Sequence, residues 1–187
     1  LPEGNSISIP ASQTVRVKVT LNNRSDLTPG GHYGAVIVTA DSVGGAKSTV
    51  SISQQLVSLI FVKKLGGEKY GLELKEMLAE QTRGSMPDIV KLNFVNTGNV
   101  HLIPRGYIEV TDPKGKLVAK GIINQDSSLV LPGAARQLVT TLQTVAGSSA
   151  TGQYKITAHY RYDGEDKFKV QSVYFTRSGV SRTVLIG

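Results

Sequence analysis

The chain has 187 residues, 40% hydrophobic and 19% charged, with no cysteine and no tryptophan. Such a composition can bury a core and excludes a chain that is disordered throughout. The missing thiols exclude a disulfide framework and any thiolate metal site, so packing alone must hold the fold. The formal charge of +7 is spread along the sequence, seven Lys/Arg against four Asp/Glu in residues 1–70 and fourteen against ten in residues 71–187. A nucleic-acid binder concentrates its cations on one face and interleaves them with aromatics, so no nucleic-acid partner is expected.

In residues 14–22, Val15, Val17, Val19 and Leu21 alternate with Arg16, Lys18 and Thr20, the pattern of a half-buried strand. A turn signal follows at Thr28-Pro29-Gly30-Gly31. Residues 36–39 and 56–62 are continuous aliphatic and β-branched runs, expected as strands covered on both faces, with a turn at Val43-Gly44-Gly45 between them. The polar, glycine-containing stretch 63–69 reads as a break between domains. Residues 72–81 carry two competing periods. Leu74, Met77, Leu78 and Gln81 have helical spacing, while Leu72, Leu74, Glu76 and Leu78 alternate; the absence of a capping residue favours a strand.

Beyond that point Tyr107, Glu109 and Thr111 interleave with Ile108 and Val110. The sequence Asp112-Pro113-Lys114-Gly115 has a type I turn residue at each position, predicting a hairpin with residues 116–123. Alternation returns in residues 154–162 and 168–175, separated by Asp163-Gly164, and residues 180–186 read as one more strand or a tether. The expected fold is all-β, two immunoglobulin-like β-sandwiches in tandem. Residues 1–66 form a first module that is short or incomplete, with about five strands. Residues 67–178 form a full sandwich of about seven or eight strands, and residues 179–187 a tail. The sequence opens on Leu1 and is expected to be a mature or excised piece. No run approaches the ~20 apolar residues of a membrane span, so any membrane contact is expected through an anchor outside the segment.

The order of short motifs carries a resemblance. Pro29-Gly30-Gly31-His32-Tyr33-Gly34 leads into Ala35-Val36-Ile37-Val38. Phe94-Val95-Asn96-Thr97-Gly98-Asn99 precedes Asp112-Pro113-Lys114-Gly115, then Val130-Leu131-Pro132-Gly133 and Gly152-Gln153-Tyr154-Lys155-Ile156. Over nearly its whole length the chain resembles the WxL-interacting surface proteins of Gram-positive bacteria. The resemblance implies a cell-wall location, a peptidoglycan-binding first module and a partner- or host-binding second module. The short first module departs from the family pattern, and no set of functional residues carries over.

The residues themselves point away from catalysis. His32, His101 and His159 lie far apart, and none has a second ligand residue at metal-binding spacing. No nucleophile elbow, phosphate loop or calcium-loop spacing occurs. Asp163, Glu165 and Asp166 cluster at a hairpin tip beside Arg161 and Lys167, as solvated turn residues do. No catalytic, cofactor-binding or metal-binding residue is therefore expected, and the chain is expected not to be an enzyme.

Two stretches stand out as partner-binding candidates. Lys114, Lys116 and Lys120 form a comb near a hairpin turn, suited to an anionic wall polymer or to protecting a strand edge. Asn99, His101 and Arg105 place amide, imidazole and guanidinium groups in one loop at a strand end, where a sandwich recognises partners; Asn96 to Asn99 suggest a tight turn with positive φ. The expected function is a secreted, extracellular, non-catalytic binding or scaffold protein of the bacterial surface or cell wall. Its partner would be an anionic wall polymer or a surface or host protein. Structural stalk domains and a periplasmic immunoglobulin-like assembly chaperone are the alternatives.

Overall fold

The computed structural model describes residues 6–10, 12–41, 53–80, 86–148 and 150–178, and among these the chain is all-β. No helix long and apolar enough to cross a membrane occurs among the described residues. The turn expected at Val43-Gly44-Gly45 and the strand or tether at 180–186 lie outside them. Strands β1 (Gly30–Asp41) and β2 (Ser53–Lys64) pair antiparallel in register from Gly30↔Lys64 to Asp41↔Ser53 and form a sheet of their own.

Eight strands follow. They are β3 (Leu72–Glu80), β4 (Ile89–Asn96), β5 (Arg105–Thr111), β6 (Leu117–Ile123), β7 (Ala135–Thr141), β8 (Gln143–Thr144), β9 (Gly152–Arg161) and β10 (Lys169–Arg177). They make a three-stranded sheet in the order β3-β4-β7 and a five-stranded sheet in the order β10-β9-β5-β6-β8, with all pairings antiparallel.

The two larger sheets enclose one core because each strand turns alternate residues inward. Val90, Leu92 and Phe94 of β4 meet Ile108 and Val110 of β5 and Tyr154, Ile156, Ala158 and Tyr160 of β9, all buried. The Phe94 and Tyr160 rings meet edge to face across the sheets at 5.1 Å, and the Tyr160 hydroxyl accepts the Leu74 N–H at 3.3 Å. Burying an aliphatic or aromatic side chain of this kind contributes roughly 1.5–3 kcal/mol, so this layer dominates the stability of the sandwich.

The ambiguous stretch at 72–81 is a strand, and its mixed period has a cause. Its register against β4 shifts between Leu74 and Glu76. A bulge inserts one residue and flips the alternation, so Leu72, Leu74 and Met77 are buried while Leu78 is exposed. The alternation expected to run on to Leu78 therefore stops at the bulge.

The Asp112 turn forms as expected. The Gly115 N–H donates to the Asp112 carbonyl at 2.9 Å, Gly115 takes φ +80°, and Asp112 Oδ1 accepts the N–H groups of Lys114 and Lys116, both at 2.9 Å.

Two expectations for the N-terminal part are corrected. Residues 14–22 are not a strand, and Val15, Val17, Val19 and Leu21 are exposed. Alternation alone does not make a strand; a ladder partner must satisfy its backbone, and neither β1 nor β2 pairs with this stretch. Residues 18–21 instead line a shallow groove of about 540 Å³ with His32, Tyr33, Val36, Ile60 and Val62.

The runs expected to be covered on both faces do lie in β1 and β2. Yet Ile37, Val38, Leu56, Val57 and Leu59 are 50–72% exposed, because no second sheet packs on them among the described residues. Of the strands expected in residues 1–66, the described part holds two, β1 and β2.

Candidate functional site

The loop after β4 is built around Asn96, whose buried side chain donates to the carbonyls of Val100 and Val130, both at 2.8 Å, and accepts the Gly98 N–H at 2.9 Å. The turn is not of the positive-φ kind expected at Asn96 to Asn99. Gly98 is required for another reason: a Cβ there would meet the Lys69 carbonyl oxygen at 2.1 Å. The loop thus presses its backbone against the segment joining the hairpin to the sandwich.

Asn99 exploits that contact. Its N–H donates to Lys69 O at 3.0 Å, its carbonyl accepts the Gly31 N–H at 2.7 Å, and its Oδ1 accepts the Lys69 N–H at 2.6 Å. Its Nδ2 donates to Gly67 O at 3.1 Å and to Pro29 O at 3.3 Å. Beside it the rings of His101, Tyr33 of β1 and Phe61 of β2 form a mutual edge-to-face triad with centroids 5.6–5.8 Å apart. Burial first, and the charge of Lys63 second, hold the His101 imidazole below its ordinary value, with Asp163 acting against them. Asn99 and His101 therefore join the hairpin to the sandwich, Asn99 through its hydrogen bonds and His101 through its ring contacts.

Arg105, at the start of β5, is exposed and lies opposite Arg161 of β9 in the sheet. The lysine comb does not act as one free basic stripe. Lys116 Nζ donates to the Gly147 carbonyl at 3.1 Å, and Lys120 Nζ lies 3.8 Å from Glu109 Oε1. Lys114 is exposed on the turn.

A second site lies where β6 meets β7, a cleft of about 850 Å³. Gly121 makes it possible: a Cβ there would stand 2.6 Å from Thr140 Cγ2 and 2.8 Å from the Thr141 carbonyl, so the glycine lets the strands close up. One wall is Tyr107 of β5. The His159 ring stacks on it at 4.7 Å and 14°, and Phe168 meets it edge-on at 5.7 Å.

The opposite rim is the 124–128 loop, pinned by Asn124, whose Nδ2 donates to Pro104 O and Ser128 O and whose Oδ1 accepts the Ser128 N–H. Arg136 on β7 is fixed by donating to Leu129 O at 2.9 Å and to Ser128 Oγ at 3.1 Å. Of the residues singled out by sequence, only Lys120 lines this cleft. The alternation in β5 signals that Tyr107 and Glu109 face outward, but nothing local brings Arg136 or Gln125 to them.

Compared with known protein families and with curated proteins, the chain matches none. Among the described residues no group of three or more His, Cys, Asp or Glu side chains is placed to hold a metal ion.

Proposed function

We propose that the chain is a non-catalytic binding or scaffold protein of the bacterial cell surface, engaging another protein through the β1–β2 hairpin. The observation that carries this reading is the exposure of Ile37 (60%), Val57 (50%) and Leu59 (64%), which the pairing of Ile37 with Val57 and of Ala35 with Leu59 puts on one face of a two-stranded sheet whose outer edges have no ladder partner among the described residues. Isolated apolar residues on a surface need no explanation, but a contiguous apolar sheet with open edges is a surface for strand addition and burial. The engagement of Lys116 and Lys120 within the chain makes a wall polymer the weaker partner.

The second module is read as immunoglobulin-like. Support comes from its strand order, in which β3, β4 and β7 occupy the places of strands A, B and E, and β10, β9, β5 and β6 those of G, F, C and C′. Tyr154, near the start of the F-equivalent strand, donates its hydroxyl to the Ala150 carbonyl at 2.8 Å, the bond of a tyrosine corner. The similarity to the WxL-interacting proteins and an extracellular location belong to the same proposal. The reading as a non-enzyme rests on the three histidines having separate neighbours: His32 at Thr28 O, His101 in the ring triad and His159 on Tyr107.

The test is retention from a bacterial envelope extract at low and high salt, with the chain as bait. Protein binding through the hairpin predicts retention that survives high salt and is lost in Ile37→Asp and Leu59→Asp. Retention that salt abolishes, and that only charge reversal at Lys114, Lys116 and Lys120 removes, contradicts it in favour of a wall polymer. A stalk or spacer is the second reading, favoured by the hydrogen bonds of Asn99 that fix the joint; it predicts no retention at either salt.

A further inference from the structure

The cleft between β6 and β7 lies apart from the hairpin, and its chemistry differs from that of either the apolar sheet or the lysine comb. We infer that it is a binding site for a neutral oligosaccharide, with Tyr107 as the stacking platform. A pyranose ring has an apolar C–H face and a hydroxyl periphery, so a site for it needs an accessible aromatic face beside planar donors and acceptors that are already held in place.

Tyr107 meets the first requirement. His159, on β9, covers one face of its ring. Ile122, the register partner of Tyr107 on β6, lies on the opposite side of β5 from β9, and Tyr107 and Ile122 both line the cleft. Phe168 supports the ring edge-on, and the Arg161 guanidinium stands 5.3 Å from the Phe168 centroid, so the platform is propped from behind. Tyr107 remains 38% exposed.

The second requirement is met by Arg136, which lines the same cleft and is pre-oriented by its two donated hydrogen bonds. Glu109, Gln125 and Gln137 line it too and add carboxylate and amide groups, Glu109 with His159 Nε2 3.7 Å away on one side and Lys120 Nζ 3.8 Å away on the other.

Charge selects the class of sugar. The lining carries Glu109 and Asp126 against Lys120 and Arg136, two of each sign. A polyanion therefore finds no surplus cation here, whereas a neutral glycan finds donors and acceptors in equal supply. The volume of about 850 Å³ falls within the ~300–1,000 Å³ of small-molecule sites.

The test is titration of the full chain with cellotetraose, with the tetramer of β-1,4-linked N-acetylglucosamine and with an oligogalacturonate of the same length, followed by calorimetry and amide NMR. A neutral tetramer is expected to bind, shifting signals at Tyr107, Gln125 and Arg136 and leaving those of β1 and β2 in place. Tyr107→Phe, which keeps the ring, holds affinity within roughly twofold, and Tyr107→Ala weakens it by about tenfold. Gln125→Ala, on the exposed rim, gives an independent loss if Tyr107→Ala melts early. Three results overturn the inference: neither neutral tetramer binding at millimolar concentration, only the galacturonate binding, or binding indifferent to both alanine variants.

Discussion

Asn99 and Lys69 hold each other through two reciprocal hydrogen bonds, the Lys69 N–H donating to Asn99 Oδ1 at 2.6 Å and the Asn99 N–H to Lys69 O at 3.0 Å. With the bonds from Asn99 to Pro29, Gly31 and Gly67, this pair joins the hairpin to the sandwich. Asn99→Ala removes the side-chain partner of the Lys69 N–H and of two carbonyls, at a cost of about 0.5–1.5 kcal/mol because these bonds are solvent-exposed or only part-buried. Denaturant unfolding should show that loss, and hydrogen exchange should speed up at the Gly31 and Lys69 amides while the β4 and β9 amides stay protected.

His101 makes the same joint sensitive to pH. Its imidazole is held below the ordinary value of 6.5, by burial and by Lys63, so the unfolded chain takes up a proton more readily than the folded one. The stabilisation is complete above 6.5 and is lost as pH falls through the lower folded value. The melting temperature should decline on acidification through this window, and His101→Phe, which keeps a ring against Tyr33 and Phe61, should flatten that decline.

Asp112 acts in a more acid window. Burial raises its pKa, but hydrogen bonds from the Lys116 and Lys114 amides and the Ser148 hydroxyl outweigh that and hold it below the ordinary 3.8. Its contribution is present above 3.8 and disappears as pH falls through the lower folded value. Asp112→Asn should therefore lower stability at neutral pH and weaken the acid dependence of denaturant unfolding.

At Gly121 β6 lies too close to β7 to admit a side chain. Gly121→Val drives a branched side chain into Thr140 and the Thr141 carbonyl, and overpacking of this kind costs about 1–3 kcal/mol. A thermal melt should register it, and any sugar binding in the cleft should weaken with it.

Much of the sandwich is written locally. The Asp112-Pro113-Lys114-Gly115 turn carries its own hydrogen-bonding groups, and β5 and β9 alternate cleanly because one face of each is buried and the other wet. The sequence misleads where a partner decides the outcome. Val15, Val17, Val19 and Leu21 have the period of a strand without a ladder, and the β3 bulge disguises a strand as half a helix.

The site residues divide in the same way. Asn99 and His101 stand out in the sequence as polar loop groups, but only the path of residues 67–69 shows that they face the joint. The Tyr107 cleft depends on β6 meeting β7 through Gly121, a contact between strands with no local signature.

The central claim, that the β1–β2 hairpin is covered by another polypeptide, is tested most directly by a photo-crosslinking residue substituted for Leu59, with Val170 of β10, outside the cleft, as the control position. Both side chains are exposed, at 64% and 59%. In envelope extract a discrete crosslinked polypeptide is expected from Leu59 and none from Val170. Crosslinks from Leu59 that stay within the chain, or equal labelling from both positions, would contradict the claim.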